Sequence, residues 1–156
     1  MSLPALDVDW IKAKIDTGAR TSALHAYDLE IIEKRDGSEW ARFEIHPIQR
    51  DTDLTLSVEV EIDSWRSVKS SNGKTEERPV ILTPITFLGA TWDIELTLTN
   101  RDEMGYRMLL GRQGIRGRFA VDPNLSFAGG RGPEPEKKRV KKKAKKKVAK
   151  KLTKKR

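Results

Sequence analysis

Asp16 is the residue of this chain best placed to do chemistry. It stands in Asp16-Thr17-Gly18-Ala19, where a segment that alternates Ile11, Ala13 and Ile15 with Lys12 and Lys14 runs into a glycine turn. A strand that delivers a carboxylate to a tight turn suits two roles: hydrolytic catalysis, or acceptance of hydrogen bonds within the turn itself. A second element, Leu109-Leu110-Gly111-Arg112, sets an apolar pair against glycine and arginine late in the chain.

Other catalytic chemistries find little support. The sequence has no cysteine, so it offers no disulfide framework, thiolate nucleophile or thiolate metal site. Two histidines without a His-Glu-x-x-His pattern fall short of the three or four ligands that zinc hydrolysis requires. His25 reads as a structural polar group or a substrate contact, and His46 as a surface strand residue. Ser71-Asn72-Gly73-Lys74-Thr75 ends like a nucleotide-binding loop but lacks the leading glycine and sits in a hairpin pattern. Neither a metal nor a nucleotide cofactor is expected.

The elements that must position Asp16 are strands. Period-two alternation runs through Leu54, Leu56, Val58, Val60 and Ile62, and again through Trp92, Ile94, Leu96 and Leu98, each marking one buried face. Asp36-Gly37 separates Leu29–Glu33 from Glu39–Ile45, and Asn72-Gly73 centres a second hairpin, both dipeptides that accept the positive φ of tight turns. Met108–Arg112 is a short apolar run, followed by room for one helical turn before Phe119-Ala120-Val121. Many short strands with almost no helix predict an all-β sandwich or barrel. Trp10, Trp40, Trp65 and Trp92 are not interleaved with lysines and read as packing residues.

Charge divides the chain unevenly. Residues 1–130 carry 16 Lys+Arg against 21 Asp+Glu, a net of −5, whereas residues 131–156 carry 15 against 2, a net of +13. The overall +8 therefore belongs to the tail, and the folded part is mildly acidic. Residues 129–136 have Gly/Pro linker composition, and 14 of the 20 residues 137–156 are Lys or Arg, which predicts a disordered polycation. The tail has no aromatic residue for base stacking, so contact with nucleic acid or ribosome would be phosphate-driven and salt-sensitive. No apolar run reaches the roughly 20 residues of a membrane span, and the first residues do not resemble a secretion signal; a cytoplasmic protein without membrane attachment is expected.

The two glycine elements together resemble the retroviral-type aspartic proteases, in which Asp-Thr-Gly-Ala holds the catalytic carboxylate and an apolar-apolar-Gly-Arg loop packs beside it. The Asn72-Gly73 hairpin falls where those enzymes carry a flap. A closer resemblance is to a bacterial retropepsin-like family named ATP-dependent zinc proteases, some members of which are encoded beside a ligase that adds glutamates to a ribosomal protein. The residues that carry it are Ala13–Ala26, Arg78-Pro79-Val80-Ile81, and Leu98–Asp102 with Met104–Arg112, within a span of about residues 3–128. In that family a further strand precedes the Leu-Pro that here is Leu3-Pro4, so a shortened start is expected.

The resemblance implies a retropepsin-like closed barrel over residues 1–128, with a short helix near its C-terminal end, then the linker and the basic tail. It implies hydrolysis by two carboxylates sharing one proton. One Asp-Thr-Gly per chain then requires a homodimer, with Asp16, Thr17 and Gly18 contributed by each copy and Thr17 bonding across the axis. Arg20 replaces the acidic residue of the retroviral pattern, and a fixed cation there favours carboxylates in a peptide or protein substrate, polyglutamate included. Arg20, Arg112, Asn72 and Gly73 are the expected substrate contacts; Arg20 and Arg112 equally suit local ion pairs, and Asp102 suits a loop. The expected activity is that of an aspartic-type endopeptidase trimming glutamate-rich extensions on a ribosomal protein. The rival reading is a non-catalytic barrel that binds acidic peptides and is tethered to nucleic acid or ribosome by its lysine-rich tail.

Overall fold

Apolar alternation becomes strand after strand in the computed structural model, which describes residues 1–70, 72–100 and 105–133. The strands are β1 (Ala13–Asp16), β2 (Ser22–His25), β3 (Tyr27–Glu33), β4 (Glu39–Ile45), β5 (Leu56–Glu61), β6 (Ser64–Lys69), β7 (Thr75–Phe87), β8 (Ala90–Thr99) and β9 (Met108–Gly111). A single turn of helix, α1 (Arg112–Ile115), follows directly on β9. Asp102 and the tail 137–156, together with linker residues 134–136, lie outside the described residues.

Six strands form one sheet in the order β1-β9-β2-β8-β7-β6, and β3-β4-β5 form a second. The β1–β9 and β2–β8 pairs are parallel, whereas β2 runs antiparallel to β9. Closure into a barrel is not detected among the described residues, where β1 and β6 stand at the two ends of the large sheet's strand order and both sheets contribute to one core. The chain changes sheets at two corners. Ile62 N–H donates to Glu39 O of the small sheet, and the next residue, Asp63, donates to Val80 O of the large one. At the other corner Ala26 N–H donates to Thr99 O before the chain enters β3.

The core draws on both sheets. Ala41, Phe43 and Ile45 of β4 meet Leu24, Ile81, Ile85, Leu96, Leu98, Met108 and Leu110 of the large sheet, all buried. Leu3, Leu6, Val8 and Ile11 of the N-terminal segment complete it, and Ser2 exchanges both backbone hydrogen bonds with Thr86. At roughly 1.5–3 kcal/mol for each fully buried Leu, Ile or Phe, this cluster supplies the main driving force for folding.

The two sequence-legible hairpins form at their expected dipeptides. Gly37 and Gly73 both have φ of 83°, which a side chain would strain. In the first turn Asp36 Oδ1 accepts from the Ser38 hydroxyl (2.6 Å) and the Ser38 N–H (3.0 Å), which together hold its carboxyl below the usual carboxylate range. Glu59 on β5 is held low in the same direction, first by Arg42 and then by Lys34.

Because both pKa values are depressed by folding, the stability they contribute is complete above the unfolded values and is lost as pH falls through the folded ones. Urea midpoints followed from about pH 5 downward should therefore fall in the wild type, and fall less in Asp36→Asn with Glu59→Gln. Both groups are on the surface, so added salt should shrink the difference.

Candidate active site

Asp16 is the last residue of β1, half-buried, in register with Gly111 of β9. Its Oδ1 accepts from the N–H of Gly18 (3.0 Å) and of Ala19 (3.1 Å), which orients the carboxyl within its own turn. A Cβ on Gly18 would stand 3.2 Å from that oxygen, so glycine leaves the carboxylate its seat. Thr17 and Gly18 are exposed.

The turn is held from the other side by the start of α1. Arg112 Nη1 donates to Thr17 O (3.1 Å) and Gly18 O (3.3 Å). The N–H groups of Arg112 and Gln113 donate to Ala19 O (2.9 Å) and Arg20 O (3.1 Å). Four consecutive carbonyls of the turn are thereby satisfied by two adjacent residues, and two N–H groups at the helix start, which lack partners inside the helix, are used in doing so. Arg112, expected to meet substrate, directs this donor at the turn.

Beneath the turn the packing is close. Ser22, 1% exposed, accepts from Gly111 N–H through its hydroxyl (3.1 Å), and its carbonyl accepts from the Thr97 hydroxyl (2.9 Å). Gly111 has a φ of −79°, which any residue adopts, so room and not backbone freedom demands glycine there. A Cβ would stand 2.5 Å from both the carbon and the oxygen of the Thr21 carbonyl. Trp92 Nε1 donates to Gly114 O (2.8 Å), tying α1 to β8. Ser22, Gly114 and Trp92 were not singled out as site residues from the sequence; the only available signal was the run Thr21-Ser22-Ala23-Leu24 directly after the turn.

The other expected residues lie elsewhere. The side chain of Arg20 is exposed beside the turn. Asn72 and Gly73 are exposed at the tip of the β6–β7 hairpin, where Asn72 Oδ1 accepts from Ser70 Oγ and from Lys74 N–H (3.3 Å). In the ladder this hairpin ends at β6, the edge opposite β1. His46, expected on the surface, is 9% exposed because it stacks on Tyr27 at 4.0 Å between ring centres, and Tyr27 in turn meets buried His25 at 4.0 Å. Arg107 Nη1 fixes the loop beyond them, donating to the carbonyls of His46, Ile48 and Asp51, each at 2.7 Å. Among the described residues no three His, Cys, Asp or Glu side chains are grouped to hold a metal ion.

A cleft of about 500 Å³ runs beside β1. It is lined by Thr17 of the turn, by Trp10, Lys12 and Lys14 before it, and by Phe127 and Gly130 of the C-terminal segment.

The chain has counterparts among known proteins. The family of the retropepsin-like aspartic endopeptidase RimB matches residues 1–131, nearly all of the described chain. The chain belongs to the RimB-like family. It is 46% identical over 139 residues to a probable alpha-L-glutamate ligase of Shewanella pealeana, covering 89% of this chain and 30% of the relative. A probable alpha-L-glutamate ligase of Parasynechococcus marenigrum is 47% identical over 125 residues, covering 80% of this chain and 27% of the relative. The chain thus spans less than a third of the length of these relatives. A crystal structure of a Legionella pneumophila protein of unknown function (DUF785) superposes with a TM-score of 0.64 at 33% identity, covering 82% of this chain and 91% of that one.

Ser22→Ala would leave the Gly111 N–H buried without its acceptor, and a loss of about 1–3 kcal/mol is expected in urea unfolding. Gly111→Ala forces a Cβ against the Thr21 carbonyl, and a loss of about 1–3 kcal/mol or more is expected by the same measurement.

Proposed function

We propose that the chain is an aspartic-type endopeptidase whose site is completed by a second copy, each contributing one Asp16. The observation that carries this reading is the single carboxylate on a turn whose carbonyls are all clamped by Arg112 and Gln113, in a chain of the RimB-like family. Two carboxyls brought within a few Å share one proton, because both cannot be charged cheaply at that separation. The ionised one takes a proton from a water whose oxygen attacks the peptide carbonyl carbon. The protonated one gives its proton to the carbonyl oxygen. Collapse of the tetrahedral species breaks the C–N bond; the proton taken from water goes to the leaving nitrogen, and a hydroxyl proton of the tetrahedral species returns to the carboxylate that had protonated the carbonyl oxygen.

For substrate we infer a glutamate-rich peptide extension, such as one built on a ribosomal protein. Two findings support this. The curated relatives that share this region at 44–47% identity are probable alpha-L-glutamate ligases, whose name implies a product of linked glutamates. Lys14 on β1 and Arg20 after the turn, both exposed, also put cations on either side of Asp16, which suits a substrate of repeated carboxylates.

The test is hydrolysis of an α-linked oligoglutamate peptide and of a mixed peptide library from acidic to neutral pH. Wild type should cut the oligoglutamate, and Asp16→Asn, still folded and dimeric by sedimentation, should lose at least about 100-fold in kcat. A wild type that is monomeric and inactive under all conditions, yet binds the peptide, would replace this reading with that of a binding module.

Arg112→Lys keeps the charge but loses the fork that reaches two carbonyls. Its kcat should fall about 10- to 100-fold with KM little changed, because a displaced carboxylate costs rate more than binding. A KM effect alone would mark Arg112 as a substrate contact.

A further inference from the structure

A helix of one turn has too few internal hydrogen bonds to hold its own shape, yet α1 begins with both residues that clamp the Asp16 turn. Arg116 N–H closes it on Arg112 O (2.9 Å), and the N–H groups of Arg118 and Phe119 return to Ile115 O (3.0 and 3.2 Å). Gly114, between these acceptors, is buried, and its carbonyl is reached at 2.8 Å by the indole N–H of Trp92. Trp92 is 7% exposed and belongs to β8, which β2 and β9 separate from β1 in the large sheet. The indole is itself held. Phe119 meets it at 5.6 Å between ring centres, Phe87 meets Phe119 edge-on at 5.6 Å, and the Arg118 guanidinium lies over the indole ring at 5.0 Å. On its other flank Gly114 is tightly seated: a Cβ there would stand 2.7 Å from Cδ1 of Leu110 and 3.1 Å from the Ser22 hydroxyl that accepts from Gly111 N–H.

We propose that Trp92 is a positioning residue for hydrolysis at Asp16, which it serves by holding Gly114 O and with it the end of α1. This rests on the peptidase reading above. Two points fix the helical turn: its start, on the carbonyls of Thr17, Gly18, Ala19 and Arg20, and its end, on the indole. With the end released, the start is held by the turn alone, and the turn is free to carry Asp16 out of line with its counterpart in the second copy. Misplacement of a reacting group by about 1 Å costs up to about 100-fold in rate. Trp92 acts on Asp16 only through α1, so losing its N–H slows the chemical step and leaves substrate affinity alone. A tryptophan that merely filled the core would be replaced by a ring of the same outline without any effect on rate.

The full chain is compared with Trp92→Phe and, because the smaller ring leaves a cavity that lowers stability, with a chain carrying benzothienylalanine in place of Trp92, which keeps the outline and puts sulfur where the N–H was. Hydrolysis of α-linked oligoglutamate gives kcat and KM in wild-type and Arg112→Lys backgrounds, and amide hydrogen exchange reads the clamp independently of activity. Exchange at the Arg112 and Gln113 N–H groups should quicken about tenfold or more in both variants, while the β7–β8 amides stay protected. The kcat should fall about tenfold with KM unchanged, and the loss should nearly vanish in the Arg112→Lys background, because both changes release the same turn. Unchanged exchange at Arg112 and Gln113 in the benzothienyl chain overturns the proposal, as does a kcat loss that multiplies with that of Arg112→Lys. A raised KM with kcat intact overturns it as well, in favour of a role in binding. A wild type that cuts no peptide, with exchange still quickened by both changes, overturns the peptidase reading alone, and the hold of Trp92 on the turn stands.

Discussion

The clamp between residues 112–113 and the carbonyls of Thr17, Gly18, Ala19 and Arg20 is the constraint on which the rest of this structure depends. A turn that aims two N–H groups inward at a carboxylate must aim its carbonyls elsewhere, and those carbonyls need donors. One guanidinium and two backbone N–H groups meet that need. For this to happen β9 must deliver Arg112 alongside the end of β1. The parallel β1–β9 ladder, with Asp16 opposite Gly111, is the arrangement that does so. Gly111 then lies so close to Thr21 that no side chain fits, and Ser22 must be small and polar to accept its N–H. The identities of residues far apart in sequence follow from one turn.

Much of the fold was legible because its strands carry alternation. Leu56, Val58 and Val60 alternate with Ser57, Glu59 and Glu61, and Trp92 through Leu98 alternate likewise, since each strand has one wet face. Strand β2 carries no such signal: all four of its residues, Ser22 to His25, are buried, so it has no wet face to report itself by. Its parallel partner β8 is also buried along its last four residues. Sequence alternation tells which residues face inward, but how the strands divide between sheets is set at corners such as Ile62-Asp63, where two consecutive N–H groups serve different sheets.

The candidate site was half legible. Asp16 with its glycine turn, and the Gly-Arg pair that faces it, are local motifs that a sequence displays. What Arg112 touches is not local, since its partners are carbonyls, and every residue has one; nothing in the sequence marks Thr17 O or Gly18 O as its target. His46 shows the opposite failure. On an alternating strand end it looks like a surface polar residue, yet it is covered because Tyr27, nineteen positions earlier, lays its ring upon it.

Charge gives the last step. On the small sheet and its neighbours the carboxylates are answered locally: Glu59 by Arg42 and Lys34, Glu95 by Arg66, Glu76 by Arg78. Pairs of this kind cancel at a distance, so they neither attract a polycation strongly nor repel a polyanion. Lys14 and Arg20, exposed on either side of the Asp-Thr-Gly turn, stand where a carboxylate-rich chain would have to pass to reach Asp16. On the proposed reading, residues 1–130, with a net charge of −5, would on average repel such a chain, and the local pairing of acids together with Lys14 and Arg20 beside the turn would offset that repulsion where Asp16 stands.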